Sequence, residues 1–162
     1  MQFTTAFATL ALGAVAVQAG HQINFSAPGC DNAIMQVPGH GNYGTGTYDF
    51  GEVSGVIASA AKGVQCSQDG VPCSSIEFAL NGGVSSADNT LISPHKYTGA
   101  MSFTLIGANP GDKGPSATCD NPNCGPDNAF YIDGTDAQSR FSSQSQRQVN
   151  DANAGINLSI TC

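Results

Sequence analysis

The sequence has no tryptophan and few charged side chains. Only five of its 162 residues are Lys or Arg, and only two, Glu52 and Glu77, are glutamate. Surface helices are usually rich in Lys and Glu, so this scarcity argues against a helical protein. Basic clusters are also missing, and the formal net charge is −7. Because nucleic acids and many membrane surfaces are negatively charged, we expect neither as a partner.

Long apolar stretches are also missing, except at the N-terminus, where residues 6–17 are almost all apolar. This stretch is too short for a spanning helix, which needs about 20 apolar residues. The small residues that follow are typical of a signal-peptide cleavage site, and we predict cleavage after Ala19. Residues 1–19 are therefore predicted to be a secretory signal. Residues 20–162 are predicted to form one secreted, extracellular domain, monomeric and not inserted into a membrane.

All six cysteines lie after residue 19, and an even number in a secreted chain indicates three disulfides. Two pairs are close in sequence, and the spacing favours their closing short loops: Cys66–Cys73 and Cys119–Cys124. This ranking leaves Cys30 and Cys162 to join the two ends of the domain. A metal site is the competing interpretation, but Cys-x-x-Cys pairs are absent and the compartment is oxidising. We expect no metal and no cofactor.

Apolar and polar residues alternate in several short segments, which predicts strands with one buried face. One or two strands are predicted within residues 45–61, and a short helix or a long loop over 136–152. Gly-, Pro- and Asn-rich turns separate the segments, so the fold class is predicted to be all-β, a sandwich or barrel. The other predicted strands are "HQINFSA" (21–27), "SIEFAL" (75–80), "MSFTLI" (101–106), "AFYIDG" (129–134) and "GINLSITC" (155–162).

Two N-glycosylation sequons are present, Asn24-Phe-Ser26 and Asn157-Leu-Ser159. Both fall in predicted strands, where the asparagine alternates with apolar neighbours. That pattern allows each asparagine to lie on the exposed face of its strand. We predict Asn24 and Asn157 as glycosylation sites.

The segment "SSIEFALN" (74–81) is similar to a stretch of thaumatin-like proteins that reads Leu-Ala-Glu-Phe/Tyr-Ala/Thr-Leu-Asn. "HKYTGAMSF" (95–103) resembles the Asp-Gly-Phe/Tyr-Asn and Met-Ser-Phe/Val elements that follow in that family. The separation of Glu77 from Met101 matches without a gap, and Cys30 with Cys162 resembles the family's end-to-end disulfide. The resemblance implies a small fungal thaumatin-like domain, a β-sandwich or barrel held by three disulfides.

Thaumatin-like proteins have an acidic cleft that some members use to bind or hydrolyse β-1,3-glucan. Glu77 matches the cleft glutamate, whereas His95 stands where the family has an aspartate. Glycoside hydrolysis needs two carboxyl groups, and Asp88 is the tentative partner. The competing interpretations are a solvated groove residue for Glu77 and a turn-forming residue for Asp88. The resemblance therefore implies four candidate cleft residues: Glu77, Asp88, His95 and Tyr97.

The histidines suggest two further chemistries. "SPHKY" (93–97) resembles an element of fungal guanine-specific ribonucleases, but no glutamate follows it and the C-terminal region has no histidine. An N-terminal histidine can bind copper through its amine and imidazole. Cleavage after Ala19, however, leaves Gly20 first, and only cleavage after Gly20 would expose His21, with His40 or His95 as a further ligand.

In size, secretion and composition the chain also resembles secreted fungal elicitors of the hypersensitive response in plants. We predict a non-enzymatic protein that acts outside the cell, as an elicitor or effector of plant defence or as a cell-wall glycan binder. Its partner would be a host plant surface receptor or cell-wall β-glucan. The alternative is a glycoside hydrolase, a β-1,3-glucanase that uses Glu77 as its acid and Asp88 or another aspartate as the partner.

Overall fold

The structure is a computed structural model that describes residues 20–132 and 145–162. The predicted signal peptide lies outside the described residues, as do parts of the segments predicted over 129–134 and 136–152. Within the described ranges, no helix has the length and apolar character needed to cross a membrane. The regular elements that lie wholly within these ranges are strands, apart from one 3₁₀ turn, Gln68–Gly70.

The strands form two sheets. One has six strands in the order β10-β7-β6-β5-β2-β3, and the other has five in the order β4-β1-β11-β8-β9. The strand bounds are β1 (Gln22–Ser26), β2 (Asn32–Val37), β3 (Gly41–Tyr43), β4 (Gly46–Asp49), β5 (Val53–Ala61), β6 (Ser74–Leu80), β7 (Val84–Thr90), β8 (Ala100–Ile106), β9 (Ser116–Cys119), β10 (Arg147–Asn150) and β11 (Gly155–Thr161). The predicted all-β class is confirmed.

The two sheets share one hydrophobic core, to which each contributes the apolar residues of its alternating strands. In β6, Ile76, Phe78 and Leu80 are buried, while the residues between them lie on the outer face. Strands β8 and β11 alternate in the same way, which packs Phe103 and Ile156 against the other sheet. This arrangement leaves each sheet one outer face for polar side chains.

Strands β1 and β11 are the one parallel pair among the described strands, and they bring the two ends of the domain together. Cys30 and Cys162 lie just beyond the ends of these strands and form a disulfide with a Cα–Cα distance of 5.0 Å. The other disulfides close the short loops Cys66–Cys73 and Cys119–Cys124, so no cysteine is free. These are the pairs that the spacing favours, and three disulfides are compatible with an extracellular environment.

Strands β2, β3, β7 and β9 lie where the alternation predicts no strand, and two predicted segments have a different structure. Residues 147–150, predicted to be helix or loop, form β10, which pairs with β7. Arg147 and Val149 are buried, whereas Gln148 and Asn150 are exposed, which is the alternation of a strand. In the described part of 129–134, Phe130 makes only an isolated bridge to Thr90. The Phe130 N–H donates to Asn89 O at 2.9 Å and its carbonyl oxygen accepts the Leu91 N–H at 2.8 Å, so the stretch pairs with the end of β7 at this one residue.

Candidate functional site

Glu77 lies on the outer face of the six-stranded sheet. Its neighbours Ile76 and Phe78 are buried in the core, so the alternation of β6 turns Glu77 away from the core, where its side chain is half-buried. Strand β6 lies between β5 and β7. Glu77 is therefore flanked by the side chains directly opposite it on those strands, Ile57 and Asp88.

Asp88 lies within β7, directly opposite Glu77. The interpretation of Asp88 as a turn-forming residue is therefore wrong: its strand neighbours Ala87 and Asn89 are buried, and Asp88 alternates to the outer face. Directly opposed residues of antiparallel strands have Cβ atoms about 4.5–5.5 Å apart. The Asp88 Oδ1 atom is buried and has no hydrogen-bond partner among the residues that the structure describes. The two carboxyl groups form a close acidic pair, one member of which is poorly solvated.

The surroundings of this pair favour its protonated form. Burial raises the pKa of Asp88 well above its usual value of 3.8, and the charge of Glu77 raises it further. Burial also raises the pKa of Glu77 from its usual value of 4.5, although the nearby His95 acts in the opposite direction. Two adjacent, desolvated carboxylates are unfavourable. The pair therefore retains a proton at pH values where isolated carboxyl groups have lost theirs.

His95 lies beside this pair, in the loop that precedes β8. Its Nδ1 atom is 3.2 Å from Ser75 Oγ and 3.3 Å from the carbonyl oxygen of Cys73. Ser75 is two residues before Glu77 on β6, so the imidazole reaches the same outer face. The adjacent Lys96 N–H donates to the carbonyl oxygen of Pro72 at 3.0 Å. The loop is thus held at two points.

The fourth predicted cleft residue, Tyr97, lies in a different environment. Its ring packs partly against the hydrophobic core. Burial raises the pKa of Tyr97, and the neighbouring Asp120 raises it further. The acidic residue beside Tyr97 is therefore Asp120, in the Cys119–Cys124 loop. The structure brings together three of the four predicted residues: Glu77, Asp88 and His95.

The Cys66–Cys73 loop forms a wall of the site that the sequence did not reveal. Its 3₁₀ turn lies over the outer face, where Gly70 covers the hydroxyls of Ser59 and Ser75, which lie 2.7 Å apart. Gln36 fixes the loop from the next strand: its Nε2 donates to Ser67 O, and its Oε1 accepts the Asp69 N–H at 2.9 Å. The sequence signal was a short disulfide loop rich in polar residues, which does not show where the loop packs.

The described residues include no group of three or more His, Cys, Asp or Glu side chains placed to hold a metal ion. His21 is buried, and its Nδ1 lies 2.7 Å from the carbonyl oxygen of Ala154. A copper chelate formed by the His21 amine and imidazole would have to break this contact. The histidine near the N-terminus instead connects β1 to the segment before β11.

The carboxyl pair can both donate and accept hydrogen bonds when it holds one proton. A neutral carboxyl has one O–H donor, and an ionised carboxylate accepts only. Glu77 is the more accessible member, since Asp88 Oδ1 is buried. The arrangement suits a polar, hydroxyl-bearing ligand laid along the outer face beside β6 and β7.

No family model matches the chain, and no curated protein is significantly similar to it. The thaumatin-like resemblance therefore remains the one made by the segments 74–81 and 95–103.

Proposed function

We propose that this is a secreted, non-enzymatic fungal protein of thaumatin-like type that binds cell-wall β-glucan at the Glu77–Asp88 pair and acts on plants as an elicitor of defence. The observation that carries the glycan site is the direct opposition of Glu77 and Asp88 on the outer face of the six-stranded sheet. The elicitor role is supported by the resemblance in size, composition and predicted secretion to fungal elicitors.

Neutral polysaccharide is the ligand class that fits this pair best. A glucan presents hydroxyl groups that both donate and accept, and a carboxyl pair sharing one proton matches both roles. A glucan carries no charge, so the net charge of −7 does not repel it. An anionic ligand would have to approach Glu77 and Asp88 against that charge.

Binding without hydrolysis follows from the unequal exposure of the two carboxyls. A glycosidase needs both groups in contact with the scissile bond or its water. The buried Asp88 Oδ1 is poorly placed for such contact. We therefore assign Glu77 as the residue that contacts glycan and Asp88 as the residue that sets its protonation.

A β-1,3-glucanase is the second candidate, and one observation favours it. Retaining glycosidases hold their carboxyl groups about 5–5.5 Å apart, which is close to the Cβ spacing of directly opposed strand residues. In that case Asp88, which holds its proton more strongly, would donate to the leaving oxygen, and Glu77 would attack the sugar. The sequence alone suggested the reverse, with Glu77 as the acid.

Sedimentation with insoluble β-1,3-glucan tests the binding site. We expect wild type to bind and Glu77→Gln to bind at least about tenfold more weakly, because a strong hydrogen bond to a charged group is lost. Asp112→Asn is the matched control: Asp112 is exposed and lies in the β8–β9 loop, so its loss changes the net charge equally but leaves the site intact. Equal binding by all three proteins would mean that the binding site does not include Glu77. No binding by the wild type would overturn the glycan proposal.

Two further assays separate the alternatives. We expect no release of reducing sugar from soluble β-1,3-glucan; release that disappears in both Glu77→Gln and Asp88→Asn would establish the glucanase instead. On infiltration into leaves, we expect necrosis from wild type and from Glu77→Gln alike, since a receptor would recognise the folded surface. Absence of necrosis with the folded wild-type protein would overturn the elicitor role.

A further inference from the structure

The two sequons lie side by side on the outer face of the five-stranded sheet. Asn24 on β1 and Asn157 on β11 are partners in the parallel register. The Asn24 Nδ2 atom donates a hydrogen bond of 2.7 Å to Asn157 Oδ1. The two acceptor sites that the sequence predicts separately therefore form one pair of joined amides.

The two amides differ in how many of their hydrogens are used. The Asn24 Nδ2 atom donates to Asn157 Oδ1 and, at 3.3 Å, to Gln22 Oε1. Its Oδ1 atom accepts the Thr47 hydroxyl at 2.8 Å. Asn157 uses only its Oδ1, and within residues 20–132 and 145–162 its Nδ2 has no hydrogen-bond partner. Asn157 is exposed, whereas Asn24 is half-buried.

N-glycosylation consumes one of these hydrogens. The oligosaccharide is transferred from a lipid pyrophosphate donor: the bond from sugar C1 to the pyrophosphate oxygen breaks, and the pyrophosphate leaves with the electron pair. A bond from C1 to the asparagine Nδ2 forms, and one Nδ2 hydrogen leaves as a proton. The product amide has a single N–H. A glycan on Asn157 therefore costs no protein hydrogen bond, whereas a glycan on Asn24 removes one of two and must displace Gln22 or Asn157.

We propose that Asn157 is the N-glycan site of this protein and that Asn24 is its unmodified partner, which holds the Asn157 amide with its Nδ2 toward solvent. A glycan there projects from the five-stranded sheet, on the opposite face of the sandwich from Glu77 and Asp88. The carboxyl pair thus stays open in the glycosylated protein. The proposal requires passage through a secretory pathway but does not depend on what the carboxyl pair binds.

Peptide mapping of the full chain secreted from yeast tests the assignment. The chain is expressed with its own N-terminal segment and, in parallel, behind a host secretion signal. Digestion with peptide N-glycosidase in heavy-oxygen water converts each glycosylated Asn to a labelled Asp. We expect label at position 157 and none at 24. The proposal would be overturned by label at position 24, alone or together with 157. It would also be overturned if neither position is labelled while a host glycoprotein in the same culture is.

Two matched variants remove one sequon each and leave both asparagines in place. Ser159→Ala should migrate on a gel as the deglycosylated protein does, and Ser26→Ala should keep the full glycan shift. Within the described residues, the Ser26 hydroxyl makes a single long hydrogen bond, 3.4 Å to Leu158 O, so its loss should not disturb folding. Full shift in Ser159→Ala, or loss of the shift in Ser26→Ala, would assign the glycan to Asn24 and contradict the proposal.

Discussion

Glu77 and Asp88 are directly opposed on β6 and β7, with both carboxyl groups on the outer face of the six-stranded sheet. One of the two glutamates in the whole chain thus lies against an aspartate, although an apolar or hydroxyl pair there would avoid the repulsion. Perturbed carboxyl pairs are frequent at functional sites, and the proposed glycan site rests on this one.

The pair makes stability depend on pH in a defined direction. The pKa of Asp88 is raised on folding, so between its usual value of 3.8 and the raised value the folded state binds more protons than the unfolded state. Stability therefore falls as pH rises through this window, by up to about 1.4 kcal/mol per pH unit for one proton. Asp88→Asn has no proton to lose, and we expect a flatter curve and greater stability than wild type at pH 7.

Urea unfolding measures this pH dependence of the unfolding free energy. The range from about pH 3.5 to 8 covers roughly the window in which raised carboxyl pKa values act. The Asp112→Asn variant again serves as control, because it removes an exposed charge and should retain the wild-type slope. A residual slope in Asp88→Asn is expected from Glu77, whose pKa is also raised. Parallel curves for wild type and Asp88→Asn would show that Asp88 titrates as an ordinary solvated carboxyl.

Ser74 connects β6 to the start of β8 through buried hydrogen bonds. Its Oγ accepts the N–H groups of Thr98 at 2.8 Å and Gly99 at 3.1 Å and donates to Gly99 O. Ser74→Ala leaves one buried and one part-buried N–H group without this partner, so we expect a loss of about 2–4 kcal/mol. Ser86→Ala on the outer face of β7 should change stability by less than about 0.5 kcal/mol. Similar losses in the two variants would mean that water replaces the Ser74 hydroxyl.

Alternation in the sequence was enough to predict β1, β6, β8 and β11, because each has one apolar face and one polar face. Strand β7, "VSSADNT", was missed because both its faces are polar. Inward-facing Asn89 is fully buried and donates to Asn128 O at 2.8 Å, a partner that sequence alone cannot supply. In the sequence, a turn-forming role therefore competes with the tentative role of Asp88 as partner of Glu77, and the structure places the two residues directly opposite each other.

The site itself was predictable only in part. Glu77 and His95 were found through the thaumatin-like resemblance and lie near one another. The wall formed by the Cys66–Cys73 loop depends on contacts between segments far apart in sequence, such as Gln36 with Ser67. Neither local pattern nor composition encodes such contacts directly.

Gly70 is required where this loop crosses the sheet. Its φ is +75°, and a Cβ atom would overlap the hydroxyls of Ser59 and Ser75. We expect Gly70→Ala to cost about 2–4 kcal/mol, from the left-handed backbone and the overlap together. Gly83→Ala is the control, because no atom lies within 4 Å of its added Cβ. The loop also carries the Pro72 carbonyl, which accepts a hydrogen bond from the segment of His95. We therefore expect glucan binding to weaken in Gly70→Ala. Unchanged binding and stability would mean that the loop does not pack on the sheet.

The Cys30–Cys162 disulfide should contribute more stability than either short one. It closes a loop with a sequence separation of 132, against 5 for Cys119–Cys124. Constraining the unfolded chain is then worth about 5 kcal/mol for the long loop and about 2 for the short one. We expect the double variant Cys30→Ser/Cys162→Ser to lose the larger amount in urea unfolding, with Cys119→Ser/Cys124→Ser as the comparison. In both variants we expect β1 and β11 to keep the two ends of the folded domain paired. The difference between the two losses in unfolding free energy therefore reflects the entropy of the unfolded chain. Equal losses would mean that strain in the folded protein, and not chain entropy, decides the value of each disulfide.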